Sequence, residues 1–373
     1  MPDKTKICFI LSQLPQGGAE RQTVNLIKGL DKTKYDITLL IYANTEIFYK
    51  EILDLPIHLI IRQSTGRNKL TRNIGNAIYL RKVLSENDFD IIHTLLFHNG
   101  FWVRLVAPAK YDQRIAYSIR NSIHDISVFE LFMERILIRK SYVVTNSLKV
   151  MDQFLYLVGD RYKNRTTNIY NGIEIDRFKS VKPPETSGEI IIGTVGRQTF
   201  LKNQIQILRV INKISKTYPL HFFLIGDKTQ DRSVDNESYV TDNELTHCVT
   251  ILNSQPEIEK YYRRFNIFVL SSISESCPNV LFEAMLAGCL CIVSEGSNSD
   301  NFIKDSVNGF VYDGTEMMLE SKLVTAIDMV RNKEIKGMVE NGYQYVINNF
   351  ALSRMISGYE EAYESILNSR TRF

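Results

Sequence analysis

Short apolar runs recur along the chain, separated by longer stretches in which apolar residues fall every third or fourth position. Residues 7–11, 35–41, 57–61, 89–92, 114–118 and 142–144 form the first set of runs. Runs this short, with little alternation, predict strands buried on both faces, as in parallel sheets. Between them, residues 19–30, 70–84 and 129–140 have the spacing of amphipathic helices. The pattern restarts after Asn171-Gly172 and the Pro- and Gly-containing stretch 183–188, which has linker composition. The second set of strands is predicted at 190–195, 221–225, 249–252, 267–270 and 289–293, with helices at 203–218, 257–265 and 278–287. A last helix at 352–367 gathers Met355, Ile356, Tyr359, Tyr363 and Ile366 on one side.

Strands alternating with helices predict α/β domains with mostly parallel sheets. The expected division is residues 1–170, residues 171–351, and a terminal segment 352–373 whose helix packs back on the first domain. Two facing domains of this kind place a ligand cleft between the C-terminal ends of their strands.

Composition narrows the class. At 373 residues, 44% hydrophobic and formally +3, the chain is globular and not disordered. Its five cysteines (Cys8, Cys248, Cys277, Cys289, Cys291) have neither disulfide-framework nor zinc-site spacing, which fits a reducing cytoplasm. No apolar run approaches the ~18 residues of a spanning helix, and 7–11 is too short for a signal sequence. The small net charge is a cancellation. Residues 1–170 carry 24 Lys and Arg against 16 Asp and Glu, whereas the rest carries 21 against 26.

Candidate chemistry concentrates in residues 271–288, Ser-Ser-Ile-Ser-Glu-Ser-Cys-Pro-Asn-Val-Leu-Phe-Glu-Ala-Met-Leu-Ala-Gly. Pro278 suits a first helical position. Glu283 is the only carboxylate between Val280 and Val293, so it either reaches solvent or meets a donor or a polar ligand. Glu275 precedes the helix start, where the amides of Asn279, Val280 and Leu281 favour an anion such as a diphosphate. A solvated loop acid and a surface acid are the plain alternative. Upstream, a strand ends in Gly196-Arg197 and Lys202 opens the next helix, an unfavourable place for a cation unless an anion is shared. Arg197 and Lys202 together can clamp a diphosphate. Gly17-Gly18 allows close backbone approach after the first strand, and Glu20 complements the helix that follows. His93, closing a strand, and His98 are placed to enter the cleft. The sequence has no GxGxxG fingerprint, no G-x-S-x-G elbow and no metal-ligand spacing.

The ordered set resembles the GT-B nucleotide-sugar glycosyltransferases of the large retaining family four. It comprises Gly17-Gly-Ala-Glu20, Asp90-Ile-Ile-His93, Thr145-Asn-Ser147, Tyr170-Asn-Gly-Ile173 with Asp176 and Phe178, and Gly196-Arg197 with Lys202-Asn203. Leu224-Ile-Gly-Asp227, Glu275 and Glu283 at Glu-x7-Glu spacing, and Asn308-Gly-Phe310 complete it. The resemblance implies two facing Rossmann-like domains, residues 1–170 binding the acceptor and 171–351 the nucleotide sugar, with a C-terminal crossover helix. It implies catalytic roles for Arg197, Lys202 and Glu275, the cations holding the diphosphate and Glu275 the donor-sugar hydroxyls. Glu283 would take the ribose, and Gly17, Gly18, Cys277, Pro278, Asn279, Val280 and Leu281 would complete the donor site. His93, His98, Arg120 and Asn121 are assigned acceptor or donor-sugar contacts. Transfer would retain the anomeric configuration with no metal or other cofactor, the leaving phosphate assisting the incoming hydroxyl. Four positions depart from the family pattern: Leu95 and Arg120 where a histidine is usual, Asn253 for a glycine, and Asn301 for a glutamate.

The expected activity is therefore sugar transfer from a nucleotide diphosphate-sugar, UDP ahead of GDP, to a saccharide or lipid-linked saccharide, as in capsule or O-antigen synthesis. A non-catalytic sugar-nucleotide binder on the same fold is the alternative, and a nicotinamide enzyme lacks its fingerprint. Between Leu55 and Ser85 there is no acid, while Arg62, Arg67, Lys69, Arg72, Arg81 and Lys82 are present. This basic 62–82 stretch is expected either to touch the anionic inner face of the plasma membrane or to form a solvated helix face, with 129–140 as a second interfacial segment. No nucleic-acid partner is expected.

Overall fold

The computed structural model describes residues 3–15, 17–47, 50–120, 128–179, 188–229 and 235–368. The chain divides into two compact units, Met1–Gly172 with Leu352–Phe373, and Ile173–Ala351. Unit one holds β1 Thr5–Leu11, α1 Gly18–Gly29, β2 Tyr35–Ile41, β3 His58–Ile61, α2 Lys69–Glu86 and β4 Ile91–Leu95. It continues through α3 Phe97–Val106, β5 Ile115–Ile119, α4 Val128–Leu137, β6 Ser141–Thr145, α5 Leu148–Val158 and β7 Thr166–Asn168. Its seven strands are all parallel, in the order β3-β2-β1-β4-β5-β6-β7.

The two faces of β1 explain its unbroken apolar run. Ile7, Phe9 and Leu11 pack with Val24, Leu26 and Ile27 of α1, whereas Cys8 and Ile10 pack with Leu80 and Leu84 of α2 and Val103 of α3. A strand covered on both sides by helices has no face left for polar residues.

Unit two begins with α6 Ile175–Phe178, β8 Ile190–Val195, α7 Gln204–Ile214, β9 Leu220–Ile225, α8 Asn236–Asp242 and β10 Val249–Leu252. Next come α9 Glu259–Tyr262, β11 Ile267–Leu270, α10 Asn279–Leu286, β12 Leu290–Ser294, β13 Phe310–Tyr312, α11 Glu316–Arg331 and α12 Lys336–Phe350. Its six strands are parallel in the order β10-β9-β8-β11-β12-β13. The chain enters and leaves this unit side by side, the Ile173 amide donating to the Phe350 carbonyl at 2.8 Å.

The last helix, α13 Leu352–Asn368, belongs to unit one. Met355, Tyr359, Ala362, Tyr363 and Ile366 are buried on it, in the same cluster as Ile7 and Phe9. All five cysteines are buried and unbridged. No helix among the described residues is long and apolar enough to cross a membrane.

Two boundaries differ from expectation in ways that matter. The fourth strand runs Ile91–Leu95 and not 89–92, so His93 stands mid-strand and does not close it. Pro278 takes the cap position of α10, and the helix starts at Asn279.

Candidate active site

In each sheet the strand order reverses once, between β1 and β4 in unit one and between β8 and β11 in unit two. At such a switch point neighbouring loops leave in opposite directions and open a crevice beyond the strand ends. In unit two the flanking loops are Gly196-Arg197 after β8 and residues 271–278 after β11, the two segments singled out from sequence.

The first loop is shaped by close packing. A Cβ on Gly226, at φ +152°, would lie 2.1 Å from the Gly196 carbonyl oxygen, so only glycine lets the ends of β8 and β9 meet. Gln204 then donates to the carbonyls of Gly196 (3.3 Å) and Arg197 (3.1 Å). The Arg197 side chain is left exposed. Lys202 ends a 3-10 turn, and Asn203, in the left-handed conformation at φ +50°, is the cap position before α7.

The second loop is held by serines. Ser271 Oγ donates to the carbonyls of Lys202 (2.9 Å) and Asn203 (3.0 Å), and the Ile273 amide to that of Leu201 (2.8 Å). Ser294 and Ser297 both donate to the Ser272 carbonyl, and the Glu275 amide to that of Gly296. These bonds bring two side chains 73 residues apart into contact: Lys202 Nζ donates to Glu275 Oε1. Ser272 Oγ donates to the same oxygen at 2.7 Å. Both partners are largely covered, with 27% of the lysine side chain and 15% of the glutamate exposed. The cation at the start of α7 thus shares an anion already.

α10 rises from this loop. Asn279 and Val280 are half-buried at its start, and Cys277 and Pro278 are buried beside them. The Leu281 amide is not part of an open N-terminus as expected. It donates to the Pro278 carbonyl at 3.1 Å, and Leu281 is fully buried. Glu283 lies one turn on, half-buried, and meets a protein donor: the Tyr262 hydroxyl donates to its Oε2 at 3.0 Å. Burial, then the carboxylate beside it, pushes the Tyr262 phenol well above its ordinary pKa, so it remains a donor. Tyr262 is held among the rings of Phe178, Phe265 and Phe268. Neither it nor the serine scaffold was singled out from sequence; the Ser-Ser-x-Ser-x-Ser run was the available signal for the latter.

The unit-one candidates fare differently. Gly17 caps α1 in extended backbone, and a Cβ there would lie 2.3 Å from Glu20 Oε2. The Glu20 carboxylate therefore already covers the start of α1. His98 lies exposed in the first turn of α3, beyond the switch point, and takes a 3.3 Å hydrogen bond from Trp102. Partial cover of the ring, then Lys69, lowers its pKa. His93 does not reach a crevice. It is fully buried, with Nδ1 2.6 Å from the Tyr363 hydroxyl and Nε2 2.9 Å from Ser118 Oγ. Burial, then Arg120, pushes it down to about 3. Arg120 also turns inward, donating to Asn171 Oδ1 at 2.7 Å and to the Tyr359 hydroxyl at 2.8 Å. Both side chains tie α13 to the sheet. Asn121 lies outside the described residues.

Of the departures from the family pattern, one has a local reason. Asn301 sits at φ +55°, a conformation asparagine tolerates better than glutamate.

Known proteins agree with this architecture. The model for Glycosyltransferase Family 4 matches residues 16–177, and that for Glycosyl transferases group 1 matches residues 175–344. EpsF of Bacillus subtilis (strain 168), a glycosyltransferase by name, is 27% identical over 78% of this chain and 79% of its own. An Escherichia coli UDP-Gal:alpha-D-GlcNAc-diphosphoundecaprenol alpha-1,3-galactosyltransferase is 21% identical over 96% of this chain and 97% of its own. Anabaena HepE, solved in complex with UDP, superposes with a TM-score of 0.78 at 18% identity, covering 97% of this chain and 100% of that one. The two parallel-sheet units, the switch-point site of unit two and these matches together show that the chain is a GT-B protein belonging to glycosyltransferase family four, the group 1 glycosyl transferases.

Proposed function

We propose that this glycosyltransferase moves a hexosyl or N-acetylhexosaminyl group from a UDP-sugar to a hydroxyl of a lipid-linked saccharide, retaining the anomeric configuration and using no metal. The observation that carries this reading is the Lys202–Glu275 pair beside exposed Arg197 and the start of α10, at the switch point of unit two. Two cations and a helix N-terminus suit a diphosphate, and a carboxylate fixed on Lys202 suits sugar hydroxyls. UDP in the name of one relative and bound to HepE supports the base, and the diphosphoundecaprenol acceptor of the Escherichia coli relative supports the acceptor class. The work is then done on the cytoplasmic side of the plasma membrane, in surface-polysaccharide assembly.

In this mechanism the bond between the sugar C1 and the β-phosphate oxygen breaks, and a bond from C1 to the acceptor oxygen forms on the same face. The acceptor proton passes to the departing phosphate. Lys202 and Arg197 neutralise the charge that grows on UDP, which is where preorganised cations gain most over the ground state. Glu275 orients the sugar and Glu283 the ribose.

A panel of UDP- and GDP-sugars tests the reading. Transfer or slow hydrolysis is expected with one UDP-sugar, with an α-linked product by proton NMR when the donor is α, and with an unchanged rate in EDTA. Nucleotide binding without turnover, an inverted product or loss of activity in EDTA would each refute the corresponding part.

A further inference from the structure

The serines around the Lys202–Glu275 pair divide into two kinds. Ser271, Ser294, Ser297 and Ser299 direct their hydroxyls to backbone carbonyls, the ordinary use of a loop serine. Ser271 bonds those of Lys202 and Asn203, Ser294 and Ser297 that of Ser272, and Ser299 that of Ser276 at 2.7 Å. Ser272 differs. The residue is fully buried, and its hydroxyl donates to a side-chain carboxylate, Glu275 Oε1, at 2.7 Å. That length belongs to a charge-assisted bond.

Lys202 donates to the same oxygen. Among the described residues, the hydrogen bonds that the Glu275 carboxylate receives therefore all fall on Oε1, which leaves Oε2 open to a ligand. The two donors are not equivalent. An ammonium on a four-carbon stem is a point charge that can follow the carboxylate as it turns. Ser272 cannot follow. Ser294 and Ser297 bond its carbonyl at 2.6 and 3.2 Å. Beside it, a Cβ on Gly296 would lie 2.1 Å from the Ile273 carbonyl oxygen, so the backbone there is closely packed. The fixed hydroxyl, more than the lysine, decides which way the carboxylate faces.

We propose that Ser272 is a positioning residue that sets donor-sugar selectivity: by holding Oε1, it presents Oε2 as the acceptor that the sugar hydroxyls meet. The proposal rests on the reading of Glu275 as the sugar-binding carboxylate. An acceptor aimed in one direction discriminates between epimers, because a hydroxyl turned away from it leaves a partly buried charge without its bond. Released from Ser272, the carboxylate turns to meet either epimer. A serine that only braced the loop would instead lower stability and weaken every ligand alike.

The test compares the parent, Ser272→Ala, Glu275→Ala and the double variant. The probes are UDP, UDP-glucose, UDP-galactose and the N-acetylhexosamine counterparts of both sugars, followed by calorimetric binding and initial rates. For Ser272→Ala the UDP Kd is expected within about twofold of the parent's, with kcat/KM for the preferred sugar about tenfold lower and the preference over its epimer reduced roughly threefold or more. In the Glu275→Ala background the same substitution should change the ratio of UDP-sugar Kd to UDP Kd by less than about twofold, because the group it acts through is gone. Should Ser272→Ala not fold, Ser272→Cys, a weak donor of similar size, is expected to shift the preference in the same direction. Equal losses with UDP and UDP-sugar, equal losses in both backgrounds, or an unchanged preference in a folded Ser272 variant would overturn the proposal. A parent that turns over none of these sugars, or a Glu275→Ala chain that keeps the parent rate, would refute the reading of the site and the proposal with it.

Discussion

The Tyr262 hydroxyl donates to Glu283 Oε2 at 3.0 Å from a fully buried ring, fixing a carboxylate that stands half-buried on α10. A lone acid on so apolar a helix requires a partner, and this phenol supplies it.

Tyr262→Phe removes that hydrogen bond and little else. With Glu283 reading the donor nucleotide, the expected effect is a rise in donor KM of roughly fivefold, about 1 kcal/mol, with kcat within about twofold. Initial rates over a donor series separate the two parameters, and an unchanged KM would remove Tyr262 from the site.

The buried pair in unit one has a stability role. Arg104 meets both oxygens of Glu134 at 2.6 and 2.7 Å and stacks 3.9 Å over the Tyr117 ring. Glu134→Ala strands a buried guanidinium and is expected to cost about 3–5 kcal/mol of unfolding free energy. Arg104→Met with Glu134→Leu should recover most of that loss, measured by urea unfolding of the parent and variants.

His93 makes stability depend on pH. Its folded pKa, about 3, lies below the unfolded value near 6.5, so between them only the unfolded chain binds the proton. The neutral-histidine contribution is complete above about pH 6.5 and is lost as pH falls toward 3, at about 1.4 kcal/mol per pH unit. His93→Asn should be less stable at neutral pH but lose less on acidification, as urea midpoints at several pH values would record.

Much of the fold was legible because buried parallel strands are continuous apolar runs. Strands at 35–41, 190–195, 249–252 and 267–270 begin and end where read. β4 was read short because His93 and Thr94 interrupt it, and the groups that satisfy His93 include Tyr363 of α13, 270 residues away. No local pattern carries that information. α3 was missed for another reason: it starts after Leu96, at φ +66°, with no capping side chain to announce it. α11 did carry its signal, Thr315 as cap, which went unread.

The site was legible as residue types and not as contacts. Glu275, Lys202 and Arg197 stood out because charges gather at strand ends and helix starts. That Lys202 would meet Glu275 depends on Ser271 bonding the carbonyls of Lys202 and Asn203, a link across sequence that only the fold creates.

The central claim is that Lys202, held on Glu275, stabilises the leaving nucleotide diphosphate. The most direct test is the transfer rate of Lys202→Ala at saturating UDP-sugar, with circular dichroism and melting temperature recorded beside it. The account gives a fall in kcat of roughly a hundred- to a thousandfold in a folded protein. A folded variant turning over at the parent rate would contradict it.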